Sequence, residues 1–353
     1  MEIKLQYSPD QKAADAVAAE VEKLSDKELF HINVYTLAEK LGLQRSTVLN
    51  IFIQGVYDGV FLIDWIFHCP GCGGITHETL SIQHASSENF CGICDKNVPN
   101  ILDDSIEVFF TVHPGIKKLP ETFKQDYIKE IDDASLAGNY CIWKTPEAVR
   151  GIDLIQNNLY RELLGSDVLI SDQSLQIMKI AILFTDIKGS TQMYSDLGDA
   201  KAFGLVREHF RILFDTIKKF DGVPVKTIGD AVMGVFVNSV SAVQAALEAQ
   251  KALIAHYESK PANERIEVKI GLHCGPALVV TLNNRLDYFG STVNTAARIQ
   301  DKALPNEVVI SQTLFDDPQI KQQISAVTDR VQRQKTEFKG LEGAFSIYHI
   351  PMC

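Results

Sequence analysis

Between Phe184 and Arg298 the sequence carries two aspartates, a Lys/Asp pair and an Asn/Arg pair, each in a context suited to phosphate and metal chemistry. Asp186 ends the apolar run Ala181-Ile182-Leu183-Phe184-Thr185, the composition of a buried strand that delivers a carboxylate at its tip. Asp230 lies in Val-Lys-Thr-Ile-Gly-Asp-Ala-Val-Met, residues 225–233, where two β-like runs hinge on Gly229-Asp230 as a hairpin would. If that hairpin flanks the strand, the two carboxylates converge. Mg²⁺ is usually held by one or two such hard oxygen ligands together with substrate phosphates. Gly189 lets the backbone approach closely, and with Ser190 and Thr191 it starts a helix whose first-turn N–H groups can receive phosphate oxygens. Asn294 and Arg298 are four apart on a helix that Ser291 or Thr292 can cap. From one face they offer an amide and a guanidinium to a ribose oxygen and a phosphoryl group.

Singly, each residue has a plainer explanation: an aspartate as a turn former, a lysine as an edge charge, an Asn/Arg pair as surface decoration. Their joint occurrence, together with elements able to position them, points to a shared site. Val206, Phe210, Leu213, Phe214 and Ile217 follow helical spacing, as do Val240, Val243, Leu247 and Ile254, so two helices pack by one face. With strands near 178–186, 223–227, 231–237 and 266–274, the order is β, α, β, β, α, β. That order predicts a ferredoxin-like α+β domain.

The three blocks Phe-Thr-Asp-Ile-x-Gly-Ser-Thr, Val-Lys-Thr-Ile-Gly-Asp-Ala-Val-Met and Asp-Tyr-Phe-Gly-x-Thr-Val-Asn-x-Ala-Ala-Arg, in this order, resemble the class III nucleotidyl cyclases. The resemblance covers about the C-terminal half, from near Ile177, and implies a palm-like core. It implies that Asp186, Asp230 and the carbonyl of Ile187 hold two Mg²⁺ (or Mn²⁺) ions. Lys226 and Asp287 would read the purine, Asn294 would orient the ribose and Arg298 would stabilise the reacting phosphorus. Lys339 matches a late basic residue that touches the phosphates. A lysine donor suits adenine N1 and an aspartate acceptor suits the N6 amino group, whereas guanine reverses both, so ATP is favoured over GTP. Family members that use GTP usually carry glutamate where Lys226 stands. The implied reaction is adenylate cyclisation, ATP to 3′,5′-cyclic AMP and pyrophosphate. In the family one subunit supplies the metal aspartates and its partner the base, ribose and arginine contacts. One chain holding both sets implies a head-to-tail homodimer with two composite sites.

A length of 353 residues leaves room for a substantial domain before residue 177. Cys69-Pro-Gly-Cys72 and Cys91-Gly-Ile-Cys94 are two C-x2-C knuckles separated by 18 residues, the spacing of a structural four-thiolate Zn²⁺ ribbon. Two disulfides, or thiols without metal, are the competing explanation. His68, His77 and His84 are close enough to substitute as ligands, but four cysteines already fill a tetrahedron. Cys141, Cys274 and Cys353 read as ordinary thiols. No signal-peptide pattern opens the sequence, and no apolar run reaches the roughly 18 residues of a membrane span, so a cytoplasmic location, where disulfides are rare, is expected.

Residues 37–52 read as a helix, a turn at Gly42 and a second helix capped by Ser46, like a helix-turn-helix. Residues 1–60 carry nine acidic and six basic side chains and the whole chain has a net charge of −11, so the cationic surface that DNA phosphates require is lacking. A structural or partner-binding module is expected, with nucleic acid an unfavoured partner. Ile106–Val112 reads as a strand, followed after Pro114 by a polar, less periodic region. The expected organisation is a helical module over 1–60, a zinc ribbon and β segment over 61–160, a linker over 161–176 and the cyclase domain over 177–353, the whole connection from Asn157 to Gln176 carrying a helical portion at 159–164. The N-terminal part resembles a domain of unknown function that precedes cyclase domains in some bacterial proteins. Two alternatives remain beside the enzyme: a non-catalytic ATP-sensing module, and a nucleic-acid-binding regulator built on the helix-turn-helix and ribbon.

Overall fold

The computed structural model describes residues 3–140, 143–145, 147–338 and 343–352. They cluster into two compact units, Met1–Met178 with Leu278–Asp287, and Lys179–Ala277 with Tyr288–Cys353.

The first unit opens on helices. The Asp10 carboxylate accepts from the Ala13 amide at 2.9 Å and starts α1 (Gln11–Val21). A Ser25/Glu28 capping box starts α2 (Asp26–Leu29). Asn33 caps α3 (Val34–Leu41), which ends on Gly42 in the left-handed conformation. The turn is therefore where the sequence places it, but α4 (Arg45–Tyr57) starts two residues earlier than a cap at Ser46 predicts. Its N-cap is Gln44, without a side-chain bond, and Ser46 falls inside the first turn. Leu49, Ile51, Phe52 and Ile53 of α4 are buried, and the Phe52 ring lies 4.5 Å from Phe61 and 5.3 Å from Phe110. A recognition helix must present side chains to a groove; α4 commits these to the core.

The sheet beneath α4 has the order β2-β1-β5-β6, formed by β1 (Phe61–His68), β2 (Ile75–Thr79), β5 (Ile106–Val112) and β6 (Val149–Arg150). Strand alternation explains its two faces: Phe61, Ile63, Trp65 and Phe67 are buried, and Asp64, Ile66 and His68 point the other way. Between β2 and β5 lies the small hairpin β3 (Glu88–Cys91) and β4 (Lys96–Pro99). The polar stretch after Pro114 forms a helix, α5 (Thr122–Leu136), which the sequence conceals because among its residues only Ile131 and Ser135 are fully buried. α6 (Gly151–Ile155) and α7 (Asn158–Leu163) follow, α7 close to the helical portion expected at 159–164.

The second unit has the ferredoxin-like order. β7 (Ser174–Ile187) is followed by α8 (Ser190–Leu197) and α9 (Asp199–Lys219), the hairpin β8 (Val223–Ile228) and β9 (Ala231–Phe236), then α10 (Ser239–Glu258) and β10 (Val268–Leu282). The sheet order β10-β7-β9-β8 is the ferredoxin pattern. Val206, Leu213 and Ile217 of α9 and Val243 and Leu247 of α10 are buried in one core with Leu183, Ile270 and Leu272; Phe210, Phe214 and Val240 pack against it. Each fully buried aliphatic side chain contributes about 1.5–3 kcal/mol by leaving water.

The sheet then extends past the motif. β11 (Arg285–Phe289) pairs with β10, α11 (Ser291–Lys302) leads to β12 (Glu307–Ser311), and β12 runs parallel to β10. α12 (Gln312–Phe315) and α13 (Pro318–Ser325) precede β13 (Gln332–Glu337) and β14 (Ala344–Pro351), which complete the edge. No helix among the described residues is long and apolar enough to cross a membrane.

Candidate functional site

β9 pairs with β7 from Ala181↔Phe236 to Phe184↔Met233, and β8 and β9 close on a two-residue turn, Gly229-Asp230. The turn therefore sits beside the end of β7. There the Asp230 carboxylate accepts a hydrogen bond from the Ile187 amide at 3.3 Å, next to Asp186, and Thr185 Oγ1 accepts from Val232 N at 3.1 Å. The two acids and the Ile187 backbone meet at adjacent strand ends. The loop after them is held too: Lys188 donates through its amide at 2.9 Å to the Glu267 carbonyl and through Nζ at 2.8 Å to the Glu267 carboxylate.

Lys269 Nζ lies 2.7 Å from Asp186 Oδ2. In the alternating run Val-Lys-Ile-Gly-Leu this lysine reads as an outward strand charge; the pairing of β10 with β7 brings it to Asp186. His209 on α9 was also missed. Its imidazole is fully buried, and among the described residues its ring nitrogens make no hydrogen bond of regular geometry. Burial holds its pKa down at about 4, although the Asp230 backbone and the Asp186 charge act in the opposite direction. Only its type, a histidine on an otherwise apolar helix face, could have drawn attention to it.

Gly189, with φ 66°, is the N-cap of α8 and makes no side-chain cap bond; Ser190 and Thr191 form its first turn. Asn294 and Arg298 project from α11, whose position is set by backbone contact with β10. A Cβ on Gly271 would come 2.2 Å from Gln300 N, so only glycine admits the helix there. The cap expected from Ser291 or Thr292 does not form. Gly290 is the N-cap without a side-chain bond, and the Thr292 hydroxyl instead donates to the Pro276 carbonyl at 2.5 Å, tying the helix to β10. Among the described residues neither Asn294 nor Arg298 hydrogen-bonds to Asp186 or Asp230. Among the described residues Arg298 Nη1 is also buried without a partner, a donor whose desolvation is uncompensated until an acceptor arrives. Lys226 lies on β8 opposite Met233, half-buried. Asp287 is 7% exposed on β11 and belongs to the other compact unit. Lys339 lies outside the described residues.

Two carboxylates at neighbouring strand ends suit a hard divalent cation, and the Lys269 ammonium already pairs with one of them. The four cysteines fit a softer ion. Their Sγ atoms all lie within 4.8 Å of one another, with Cys69 to Cys94 at 3.8 Å and Cys72 to Cys91 at 3.5 Å. Zinc–sulfur bonds of about 2.3 Å require tetrahedral edges of about 3.8 Å, and these separations exclude S–S bonds at those pairs. Burial pushes the Cys72 thiol up, a penalty on thiolate formation that a bound cation offsets. His68, His77 and His84 stay outside the group. Cys274 is a buried core thiol, and Cys141 and Cys353 lie outside the described residues.

Residues 173–351 match the family model described as adenylate and guanylate cyclase catalytic domain, and residues 2–132 match a family of unknown function (DUF5939). Among curated proteins, a receptor-type guanylate cyclase, gcy-8, of Caenorhabditis elegans is 30% identical over 145 residues, 37% of this chain and 12% of that protein. An adenylate cyclase of Anabaena cylindrica is 28% identical over 186 residues, 49% of this chain and 36% of that protein. The chain thus spans about a third or less of the length of these relatives. Among solved structures, the adenylyl cyclase CyaB from P. aeruginosa aligns with a TM-score of 0.43 and 21% identity, covering 50% of this chain and 95% of that one.

Proposed function

Because the chain belongs to the family of adenylate and guanylate cyclase catalytic domains, we propose that it converts ATP to 3′,5′-cyclic AMP and pyrophosphate at composite sites shared by two copies of itself. The observation that carries this reading is the meeting of Asp186 and Asp230 at neighbouring strand ends, fixed by the Ile187–Asp230 bond. The ribose 3′-hydroxyl gives up its proton to solvent, its oxygen forms a bond to the α-phosphorus, the bond from that phosphorus to the oxygen bridging to the β-phosphate breaks, and pyrophosphate leaves with that oxygen. Asp186, Asp230 and the Ile187 carbonyl would hold two Mg²⁺ or Mn²⁺ ions, which when bound lower the pKa of the 3′-hydroxyl and neutralise triphosphate charge. Lys269 adds a fixed positive charge beside the phosphates, and the first turn of α8, at Gly189, Ser190 and Thr191, offers amide donors. From the partner copy, Asn294 would orient the ribose and Arg298 would meet charge that develops in the transition state, so positioning and electrostatics supply the rate.

The relatives include both adenylate and guanylate cyclases, so the choice of base rests on Lys226 and Asp287. Their donor and acceptor match the adenine edge and oppose the guanine edge. Cys69, Cys72, Cys91 and Cys94 would hold a structural Zn²⁺, supported by the closeness of their sulfurs. The test is incubation of the full chain with each of the four nucleoside triphosphates and Mg²⁺ or Mn²⁺, with products identified by mass. The expected result is cyclic AMP and pyrophosphate, from ATP well above the others. Unconverted ATP would leave only a nucleotide-sensing role, and a preference for GTP would overturn the base assignment.

A further inference from the structure

His68 stands immediately before the first knuckle cysteine, at the end of β1, and is fully buried. Its backbone amide donates to the Ser105 carbonyl at 2.8 Å, and its ring has three neighbours. Nδ1 lies 3.0 Å from the Gly73 carbonyl oxygen, inside a turn closed by Gly73 N to Cys69 O and Cys69 N to Gly74 O, both at 2.8 Å. Nε2 lies 3.3 Å from Glu107 Oε2, a buried carboxylate on β5. The ring face stacks on Trp143 with centroids 3.9 Å apart and planes 4° from parallel. The turn and the tryptophan also lie close together. Gly73 has φ +79°, and a Cβ on it would come 2.4 Å from the Tyr140 carbonyl oxygen and 3.2 Å from Trp143 Nε1. Beyond Trp143, the Arg150 guanidinium lies 4.9 Å from the indole centroid, and Arg150 is the register partner of Glu107 across β5 and β6.

These contacts join the cysteine knuckle to β6, the strand that leads into α6. A metal ion fixes two knuckles at once, so its arrival must set the Cys69–Gly74 turn. Whatever holds that turn from outside shares its geometry with the metal. The ring of His68 touches the turn with one nitrogen, the sheet with the other and Trp143 with its face.

We propose that His68 is a positioning residue that presets the knuckle turn for metal through Gly73 and couples metal loading to the packing of Trp143 and β6 through its stacked face and Glu107. This inference rests on the reading of the four cysteines as a metal site and adds a route by which that site reaches the rest of its unit.

The test uses the full chain. Zn²⁺ affinity is measured by competition with a chromophoric chelator, thiolate ligation by the absorption of the Co²⁺ form, and Trp143 by its emission with and without metal. The Trp143→Phe chain serves to subtract Trp65, the only other tryptophan. Metal should change the Trp143 emission. His68→Phe should bind Zn²⁺ about 10- to 100-fold more weakly, the usual effect of losing an outer-shell partner. His68→Asn keeps an N–H donor near the Nδ1 position, so it should recover most of the affinity while losing the emission response. Zn²⁺ affinity unchanged in His68→Phe, or Trp143 emission indifferent to metal in the parent chain, overturns the coupling. If His68→Phe does not fold, the Asn variant decides: an emission response as large as the parent's overturns it. Failure of the underlying metal reading is separate, since the parent chain would then show neither zinc nor thiolate–Co²⁺ absorption.

Discussion

Among the described residues Arg298 Nη1 is buried without an acceptor, which suits a donor reserved for charge that appears only during reaction. Arg298→Ala should lower turnover by about 10² to 10³ with little change in ATP binding, the usual cost of removing a transition-state donor, as steady-state and binding measurements on the same preparation would show. If Lys226 faces purine N1 as proposed, Lys226→Glu replaces a donor with an acceptor there, so the ratio of ATP to GTP turnover should fall by at least about fivefold, one mispaired polar contact being worth about 1–3 kcal/mol; an unchanged ratio would remove Lys226 from base recognition. The local settings of Asp186, Asp230, Asn294 and Arg298, a strand tip, a tight turn and a helical i,i+4 pair, are legible in the sequence because they are short-range. Those of Lys269 and His209 are not. What matters about them is which strand lies next to β10 and what α9 covers, and no local pattern encodes either.

At the scale of elements, the helix that bears Asn294 and Arg298 is set by how closely it lies on β10. Gly271→Ala would push a methyl into the Gln300 backbone and should destabilise the chain by about 1–3 kcal/mol, the cost of overpacking, read as a lowered denaturation midpoint. The same strand carries His273, whose pKa burial lowers to about 4. The unfolded chain protonates it near 6.5, so below that pH the unfolded state binds more protons than the native one. Its contribution to stability is complete above pH 6.5 and declines as the pH falls toward 4, by up to about 1.4 kcal/mol per unit. Urea midpoints measured across that range should fall less steeply in His273→Gln; an identical slope would mean that the native imidazole takes up protons normally. The helices α9 and α10 and the first strands follow from apolar periodicity. β13, Gln-Arg-Gln-Lys-Thr-Glu, is unreadable as a strand because it is a mostly exposed edge held by backbone pairing to β14, and its charges discourage further strand addition. Capping was misjudged at both Ser46 and Thr292. In the second case a tertiary acceptor, the Pro276 carbonyl, took the hydroxyl that the sequence assigns to the helix end.

For the whole molecule, the cysteine ribbon and the cyclase chemistry make separate demands. Metal analysis should find about one zinc per chain, and its removal by a strong chelator should lower the melting transition of the N-terminal unit; a chain free of zinc and indifferent to chelation would leave the four sulfurs as buried thiols. The acidic balance of −11 and the burial of α4 side chains in the core both weigh against a DNA-binding role. The central claim is that one copy presents Asp186 and Asp230 to an ATP whose base, ribose and α-phosphate are held by another copy. It is tested most directly by mixing Asp186→Ala chains with Arg298→Ala chains, each inactive alone, and measuring cyclic AMP. Shared sites predict that the mixture regains a substantial fraction of parental activity, because one of the two sites in each mixed dimer is intact. A mixture that exchanges subunits yet stays as inactive as its components would contradict the account.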